Sequence, residues 1–262
     1  MMQPPIFDPY CGPAPLPTTL WTAWNFDPVL IAGILALGVA LWHRADPATA
    51  GGHQRRVFSL ASCVVLFLAF VSPLCALASA LFSARVFHHI LLVSCAAPLI
   101  ALALPRSGRW AGNVPLGFAF LVHTALLWVW HAPGPYAFAL RTSGNYWIME
   151  LTLLASAVWL WQGLLASDAT GRKAGGVIAA ALGSIVQMGM LGALLTFART
   201  PLYAAHQTTT QAFGLMPIED QQLAGVLMWV PAALPYLILA LWRLASLFPE
   251  ATPTTSLRHP QS

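Results

Sequence analysis

Charged residues are scarce in this chain. Asp, Glu, Lys and Arg together make up 8% of its 262 residues, while 58% are hydrophobic. A soluble domain carries about 25% charged residues, so this composition excludes a cytosolic enzyme and a disordered chain. The formal charge of +4, scattered along the sequence, is also too small for a nucleic-acid-binding surface. The lipid bilayer must therefore be the main solvent, and we expect no nucleic-acid partner.

Cysteine is scarce too, and its spacing shows no recognisable pairs. The four cysteines are Cys11, Cys63, Cys75 and Cys95. They form no Cys-x-x-Cys motif, and three of them lie inside apolar runs. We therefore expect neither a disulfide framework nor a zinc ribbon.

The N-terminal sequence lacks the features of a cleavable signal peptide. It has no basic start and no early apolar core, and proline recurs through residues 1–17. Proline fixes φ and removes a hydrogen-bond donor. This stretch is therefore predicted to be an extended arm with little tendency to form a helix.

Long apolar runs fill the rest of the sequence. Seven runs are separated by turn-like or charged breaks. About 20 apolar residues suffice to cross a bilayer, so we predict an all-α polytopic membrane protein with seven transmembrane helices. The runs are Asn25–Trp42, Val57–Phe82, Val86–Leu104, Val114–Trp130, Tyr146–Leu165, Gly175–Ala198 and Gln221–Leu247.

The distribution of Lys and Arg gives the expected orientation. In a seven-span chain nine of them fall on one side and three on the other, and the positive-inside rule places the larger set in the cytoplasm. The N-terminus then lies outside and the C-terminus inside. The predicted domains are a Pro-rich periplasmic arm (residues 1–24), a seven-helix transmembrane domain (25–247) and a cytoplasmic tail (248–262). The nine cytoplasmic cations are Arg44, Arg55, Arg56, Arg106, Arg109, Arg172, Lys173, Arg243 and Arg258.

Ionisable side chains cost free energy inside a membrane, so each of them is a candidate functional residue. Most of them gather toward the predicted outer side, at the ends of the third, fourth and seventh runs and one turn into the fifth. Another histidine lies halfway down the fourth run, where no water need reach it. The outer residues are His88, His89, His131, Glu150 and Asp220, and the midway residue is His123.

The neighbouring histidines His88 and His89 constrain any metal site. Successive helical residues point about 100° apart, so the two rings cannot both face the bundle centre. Arg85 and the helix N-terminus create a positive field that favours neutral imidazole, the metal-binding form, but that also repels a bound cation. A metal site there would need carboxylate help from Glu150 or Asp220.

Sulfur offers a further ligand if the metal is Cu(I). Cys75, near the outer end of the second run, is the better cysteine candidate, whereas the methionines of the last two runs are typical of helix packing. Two of the polar residues also have a purely structural explanation. Asp220 at a helix start suits the positive end of the helix dipole, and His206 in the long outer connection suits contact with water.

Three stretches with motifs follow one another along the apolar runs. FHHILLVSCAAPLIALALP (Phe87–Pro105) is led by histidines and ends at a proline-bounded turn. WHAPGPYAFAL (Trp130–Leu140) carries His-x-Pro followed by Tyr, and EDQQLAGVLMWVPAALPY (Glu219–Tyr236) carries Asp-x-Gln-x-x-Gly followed by Met-Trp. In order and spacing, the chain from about Val57 to Leu247 resembles the CtaG-type cytochrome c oxidase assembly factor family of bacterial membrane proteins.

The resemblance implies a multi-pass protein of the bacterial inner membrane that is needed to mature haem–copper oxidase. It implies help in bringing copper to the apo-oxidase. His89, His131, Asp220 and Gln222 match the polar pattern of the family. Many members carry a further histidine four residues before the position of His89, where this chain has Arg85. A histidine pair at that spacing would clamp a metal on one helical face, and that clamp is missing here.

The predicted function is assembly of cytochrome c oxidase, by copper handling or by holding an oxidase subunit during metallation. No catalysis is required, since a chaperone needs weak and exchangeable ligation. The expected partners are haem–copper oxidase subunits and a periplasmic copper carrier. The predicted metal site has His89, His131 and Asp220 at its core, with His88, His123, Glu150 and Cys75 in second rank.

Two other functions stay open at the level of sequence. A redox protein would hold haem b between axial histidines drawn from His89, His123 and His131. A transporter is less favoured because the sequence shows no internal repeat and few membrane-embedded acids. A retinal pigment is excluded, because the single lysine, Lys173, lies in a predicted cytoplasmic loop.

Overall fold

The computed structural model describes residues 7, 9–49, 51–105, 115–166 and 172–248, and the regular elements within these ranges are all helical. One π-helical turn (Leu91–Ala96) and short 3-10 turns connect some of the helices. In chain order the α-helices are α1 (Pro28–Arg44), α2 (Gly52–Phe70), α3 (Pro73–Ala80), α4 (Phe82–Ile90), α5 (Ala97–Ala103), α6 (Leu116–His131), α7 (Pro133–Ala139), α8 (Ser143–Leu164), α9 (Arg172–Phe197), α10 (Pro217–Trp229) and α11 (Leu234–Ala245).

Several helical stretches are long and apolar enough to cross a membrane. Within the described ranges four qualify alone, and the number rises to six if the bent pairs α2–α3 and α6–α7 each form one span. Helix α1 is also apolar but has 17 residues. The prediction of an all-α multi-pass membrane protein is confirmed, while the count of seven spans and the orientation stay predictions. The four stretches are Phe82–Ala103, Ser143–Leu164, Ala174–Phe197 and Pro217–Ala245.

The outward faces of the helices are apolar, as lipid requires. Val29, Leu121 and Ile238 are examples of large hydrophobic side chains that stay more than half exposed. Apolar side chains exposed on so many helices would form patches that soluble monomers rarely show. The polar residues instead lie among the helices, where they position the candidate site.

Proline breaks the second predicted run, which was expected to be continuous from Val57 to Phe82. Helix α2 ends at Phe70, and the chain turns by 44° into α3. Pro73 has no N–H and sits in the first turn of α3, where none is needed, while the Ser72 hydroxyl accepts a hydrogen bond from the Leu74 N–H at 3.2 Å. The run therefore ends early, and Phe82 begins α4 instead.

A π-helical turn separates α4 from α5 one turn after the paired histidines. Pro98 lacks the N–H that would bond to the Ser94 carbonyl, and its ring clashes with that carbonyl, so the regular ladder cannot continue. Side-chain hydrogen bonds join this turn to other parts of the bundle. Trp161 Nε1 donates to the Val93 carbonyl at 2.9 Å, and the Ser94 hydroxyl donates to the Ala232 carbonyl at 3.2 Å. The turn thus connects the third run to α8 and to the 3-10 turn Pro231–Ala233.

A disulfide joins Cys11 in the N-terminal arm to Cys75 in α3. The expectation of no disulfide framework is therefore corrected by this one bond. The two residues are 64 positions apart, and only the fold brings them together. Tyr10 secures the same region, because its ring stacks on Tyr146 and its hydroxyl donates to Asp27. Burial and that hydrogen bond raise the pKa of Tyr10 to about 12.

Some sequence predictions fall outside the described residues. They concern most of the arm before Pro9 and the cytoplasmic tail after Phe248. The predicted cytoplasmic cations Arg106, Arg109 and Arg258 also lie outside the described residues.

Glycines allow α9 and α10 to approach closely. A Cβ atom at Gly225 would lie 2.5 Å from the carbonyl oxygen of Gly192 and 2.8 Å from the backbone nitrogen of Thr196. A Cβ at Gly176, by contrast, would meet nothing within 4 Å. Small residues serve this purpose in membrane bundles, where packing rather than water drives helix association.

We expect Gly225→Ala to lower the free energy of unfolding by about 1–3 kcal/mol, because backbone atoms must move apart. Gly176→Ala is the matched control and should be neutral or stabilising by up to about 1 kcal/mol, since alanine favours helix. Thermal unfolding of the two variants in detergent measures the difference. Equal losses would contradict the close approach of α9 and α10.

Candidate functional site

A buried carboxylate, Glu150 of α8, lies at the centre of the polar interior. Its Oε1 is 3.3 Å from Nη1 of Arg85 and 3.3 Å from Nε2 of His89, and its Oε2 is 3.5 Å from Nε2 of His88. The three partners all come from α4. Because they are spaced at i, i+3 and i+4, one helical face presents them together to α8.

Asp220 of α10 fixes the start of the helix that carries these groups. Its carboxylate accepts hydrogen bonds from the backbone N–H of Phe82 at 2.6 Å and of Ser83 at 3.1 Å, and from the Ser83 hydroxyl. Both oxygens are therefore engaged at the N-terminus of α4. The charge of Asp220 therefore serves as a helix cap supplied by another helix, while its predicted part in a metal site with the histidines stays a prediction.

His131, at the end of α6, brings a third imidazole to the interior. Its ring centroid lies 5.3 Å from that of His89 in an edge-to-face arrangement. Nδ1 of His131 is 2.8 Å from the Leu127 carbonyl, which can only accept, so Nδ1 carries the proton. Nε2 is then an unprotonated acceptor, and it is buried without a hydrogen-bond partner. We call His88, His89, His131 and Glu150 the histidine cluster.

A small cavity lies beside the histidine cluster. It measures about 20 Å³, which is room for one water molecule or one ion. His89 and His131 form part of its wall, and α9 and α10 complete it with Met188 and Met228. A buried nitrogen without a partner and a space of this size together suit a small ligand.

The other predicted site residues lie apart from this cavity. His123 is eight residues before His131 on α6, about 12 Å along the axis, and its Nδ1 is 3.0 Å from the Ser156 hydroxyl. Cys75 is half of the disulfide, so it offers no thiolate. His88 does join the cluster and packs edge-on against Phe70. The structure thus gathers four of the seven predicted residues and leaves out Asp220, His123 and Cys75.

The donors in the cluster do not form a complete metal site of nitrogen and oxygen ligands. Among the described residues, no three His, Cys, Asp or Glu side chains are placed to hold one ion together. The carboxylate of Glu150 already forms an ion pair with Arg85, which is fully buried. An unpaired charge would be costly to bury. The ion pair therefore explains why both charged residues lie in the interior. Any ion at His89 and His131 needs other donors.

Sequence reasoning missed several contacts around the cluster. Nη1 of Arg85 also donates to the Tyr146 hydroxyl at 3.2 Å. His206 was expected to contact water, but it is buried and hydrogen-bonded to the Tyr136 hydroxyl at 2.7 Å. Burial, and then the charge of Arg85, lower the pKa of His206 to about 3, so its ring is neutral at physiological pH. The signal for Arg85 was present, since a cation one turn before His89 requires a buried anion.

The chain matches the model of a known protein family. The model of the family described as cytochrome c oxidase caa3 assembly factor (Caa3_CtaG) matches residues 33–249, which is most of the chain and includes the whole histidine cluster. Neither the curated proteins nor the solved structures contain a significant match. The resemblance carried by the three sequence motifs is confirmed, and the chain belongs to the Caa3_CtaG family of cytochrome c oxidase assembly factors.

Proposed function

We propose that this protein assists the assembly of haem–copper oxidase by handling copper as its cargo at the histidine cluster. The observation that carries the proposal is the buried, unpartnered Nε2 of His131, whose side chain lines a cavity of one-ion size together with His89. Neutral imidazole is a common copper ligand. Family membership supports the assembly role, and the cluster supplies a place for the metal.

The donor set suits transfer of a metal rather than catalysis. Two imidazoles without a third nitrogen or oxygen ligand bind an ion less firmly than a closed structural site. A chaperone needs such ligation, since it must release its cargo to another protein. We therefore propose a non-catalytic role, with haem–copper oxidase subunits and a periplasmic copper carrier as partners.

The disulfide supports the proposed location and orientation. Disulfides persist in oxidising compartments such as the bacterial periplasm and are rare in the cytosol. Cys11 and Cys75 therefore favour a periplasmic position for the arm and the end of the bundle that it covers. This supports an N-terminus outside the inner membrane and a cluster near the compartment in which a copper carrier would dock.

The haem-binding alternative has little room at these residues. The cavity at His89 and His131 is about 20 Å³, whereas cofactor-sized ligands occupy several hundred Å³. The rings of the two histidines also contact each other edge-to-face at 5.3 Å, and a porphyrin would have to separate them. His123 is too far along α6 to replace either ring.

We expect His131→Ala to reduce active oxidase in the host membrane at least tenfold, without lowering the level of this protein. The imidazole that faces the cavity is lost, while the rest of the bundle keeps its packing. Copper per chain after purification under reducing conditions should fall in parallel. Oxidase activity and copper content in the same membranes measure the effect.

His123→Ala is the matched control for that experiment. It removes a buried histidine from the same helix, and the structure places it away from the cavity. Its oxidase activity and copper content should equal those of the wild type. Normal values for both quantities in His131→Ala would overturn the proposed function.

A further inference from the structure

The cavity beside the histidine cluster has thioether sulfur in its wall. Met188 of α9 and Met228 of α10 line it together with His89 and His131. Both methionines are buried, at 4% and 3% exposure, whereas Met190, two residues along α9, is 52% exposed. The pattern of the sequence is typical of helix packing, but the structure brings these two sulfur side chains to the same small space as two imidazoles.

Each imidazole keeps one ring nitrogen free for a ligand. His89 Nε2 lies 3.3 Å from the Glu150 carboxylate, which accepts a hydrogen bond from it, and Nδ1 of His89 is buried without a partner. Nε2 of His131 is free in the same way, because Nδ1 donates to the Leu127 carbonyl. A carboxylate behind a ligating histidine fixes its tautomer and orientation, as Glu150 does for His89.

The charge of the surroundings selects among copper ions. Glu150 already balances the buried Arg85, so it leaves no further anionic charge to offset a bound ion. The cost of burying an ion rises with the square of its charge, so a monovalent ion pays about a quarter of the cost of a divalent one. Thioether and imidazole donors also favour soft Cu(I), whereas carboxylate and water suit harder ions.

We propose that His89, His131, Met188 and Met228 form a site for Cu(I), with Nδ1 of His89, Nε2 of His131 and the two thioether sulfurs as donors. This inference rests on the proposed copper-handling function and names the oxidation state and the ligands of its cargo. No electron transfer is involved, because the ion enters and leaves as Cu(I). The exposed Met190 has no part in the site.

Anaerobic titration of the purified full-length protein with Cu(I), in competition with a chromogenic Cu(I) chelator, tests the proposal. The wild type should bind one Cu(I) per chain. Met188→Leu combined with Met228→Leu should weaken Cu(I) binding at least tenfold, since leucine keeps the volume but removes both sulfurs. Met190→Leu should bind as the wild type does. X-ray absorption at the copper edge should show sulfur ligation that disappears in the double variant.

The outcomes separate this inference from the proposed function. If His131→Ala loses copper and oxidase activity while the double leucine variant binds Cu(I) as tightly as the wild type, the methionine ligands are overturned and copper handling stands. If Zn(II) or Cu(II) binds the wild type as tightly as Cu(I), selection of the monovalent ion is overturned. If the wild type binds no copper and His131→Ala has normal oxidase activity, both proposals fail.

Discussion

Replacing Glu150 with Gln is expected to lower the free energy of unfolding by about 3–5 kcal/mol. The substitution keeps the shape of the side chain but removes the only charge within salt-bridge distance of Arg85 among the described residues. Arg85 has 0% exposure, so its charge would stay buried without an anion. Chemical or thermal unfolding of the purified variant in detergent, followed by tryptophan fluorescence, measures the loss.

A second variant distinguishes an unpaired charge from general disruption. Arg85→Met combined with Glu150→Gln removes both charges and should recover most of the stability, because replacing a buried ion pair with apolar groups of similar size is often neutral. Glu219→Gln, at an exposed acid of α10, is the matched control and should change stability by no more than about 0.5 kcal/mol. A double variant as unstable as Glu150→Gln alone would contradict the ion-pair explanation.

Helix positions could be predicted from the sequence where hydropathy alone decides them. The run predicted from Tyr146 to Leu165 corresponds to Ser143–Leu164, and the run predicted from Gly175 to Ala198 corresponds to Arg172–Phe197. Both are continuous helices, because their apolar residues are uninterrupted by proline. The length of an apolar run is a property of one segment, and no tertiary contact is needed to read it.

The ends and bends of helices were harder to predict. Hydropathy does not distinguish an apolar helix from an apolar turn, so the run from Val57 to Phe82 concealed the break at Pro73. The 80° bend before α7 lies at Pro133 and was expected as the end of a span. In the structure a proline lies at each break, but the direction of the chain afterwards depends on packing between helices.

The site could be predicted in its residue types but not in its pairings. Burial cost singled out His89, His131 and Glu150, which the fold does bring together. The partner of each residue depends on the rotation of its helix about the helix axis. That rotation cannot be predicted from one sequence alone. Asp220 therefore caps α4 instead of joining the cluster, and Glu150, placed in second rank, lies at its centre.

The departure from the family pattern at Arg85 has a structural counterpart. The resemblance implied that many members carry histidine there, which would add an imidazole four residues before His89. In this chain Arg85 instead pairs with Glu150 and donates to Tyr146. This position of α4 therefore offers no imidazole, and the Cu(I) site that we propose combines two imidazoles with the thioethers at the cavity.

Removing the disulfide is expected to lower the free energy of unfolding by about 4 kcal/mol, because it closes a loop of 64 residues and restricts the unfolded chain. Cys11→Ser combined with Cys75→Ser should show this loss in thermal unfolding without reductant. The disulfide also supports the cluster, since Sγ of Cys11 lies 3.6 Å from the Tyr146 hydroxyl, which accepts from Arg85. The arm and the buried ion pair are thus parts of one hydrogen-bonded chain.

Reductant provides the internal control for this prediction. Adding dithiothreitol should destabilise the wild type to the level of the double serine variant and should leave that variant unchanged. Cys63→Ser combined with Cys95→Ser removes the two free cysteines, so it should retain the full response to reductant. If the wild type and the double serine variant lost stability equally on reduction, the effect would come from elsewhere than the bond between the arm and α3.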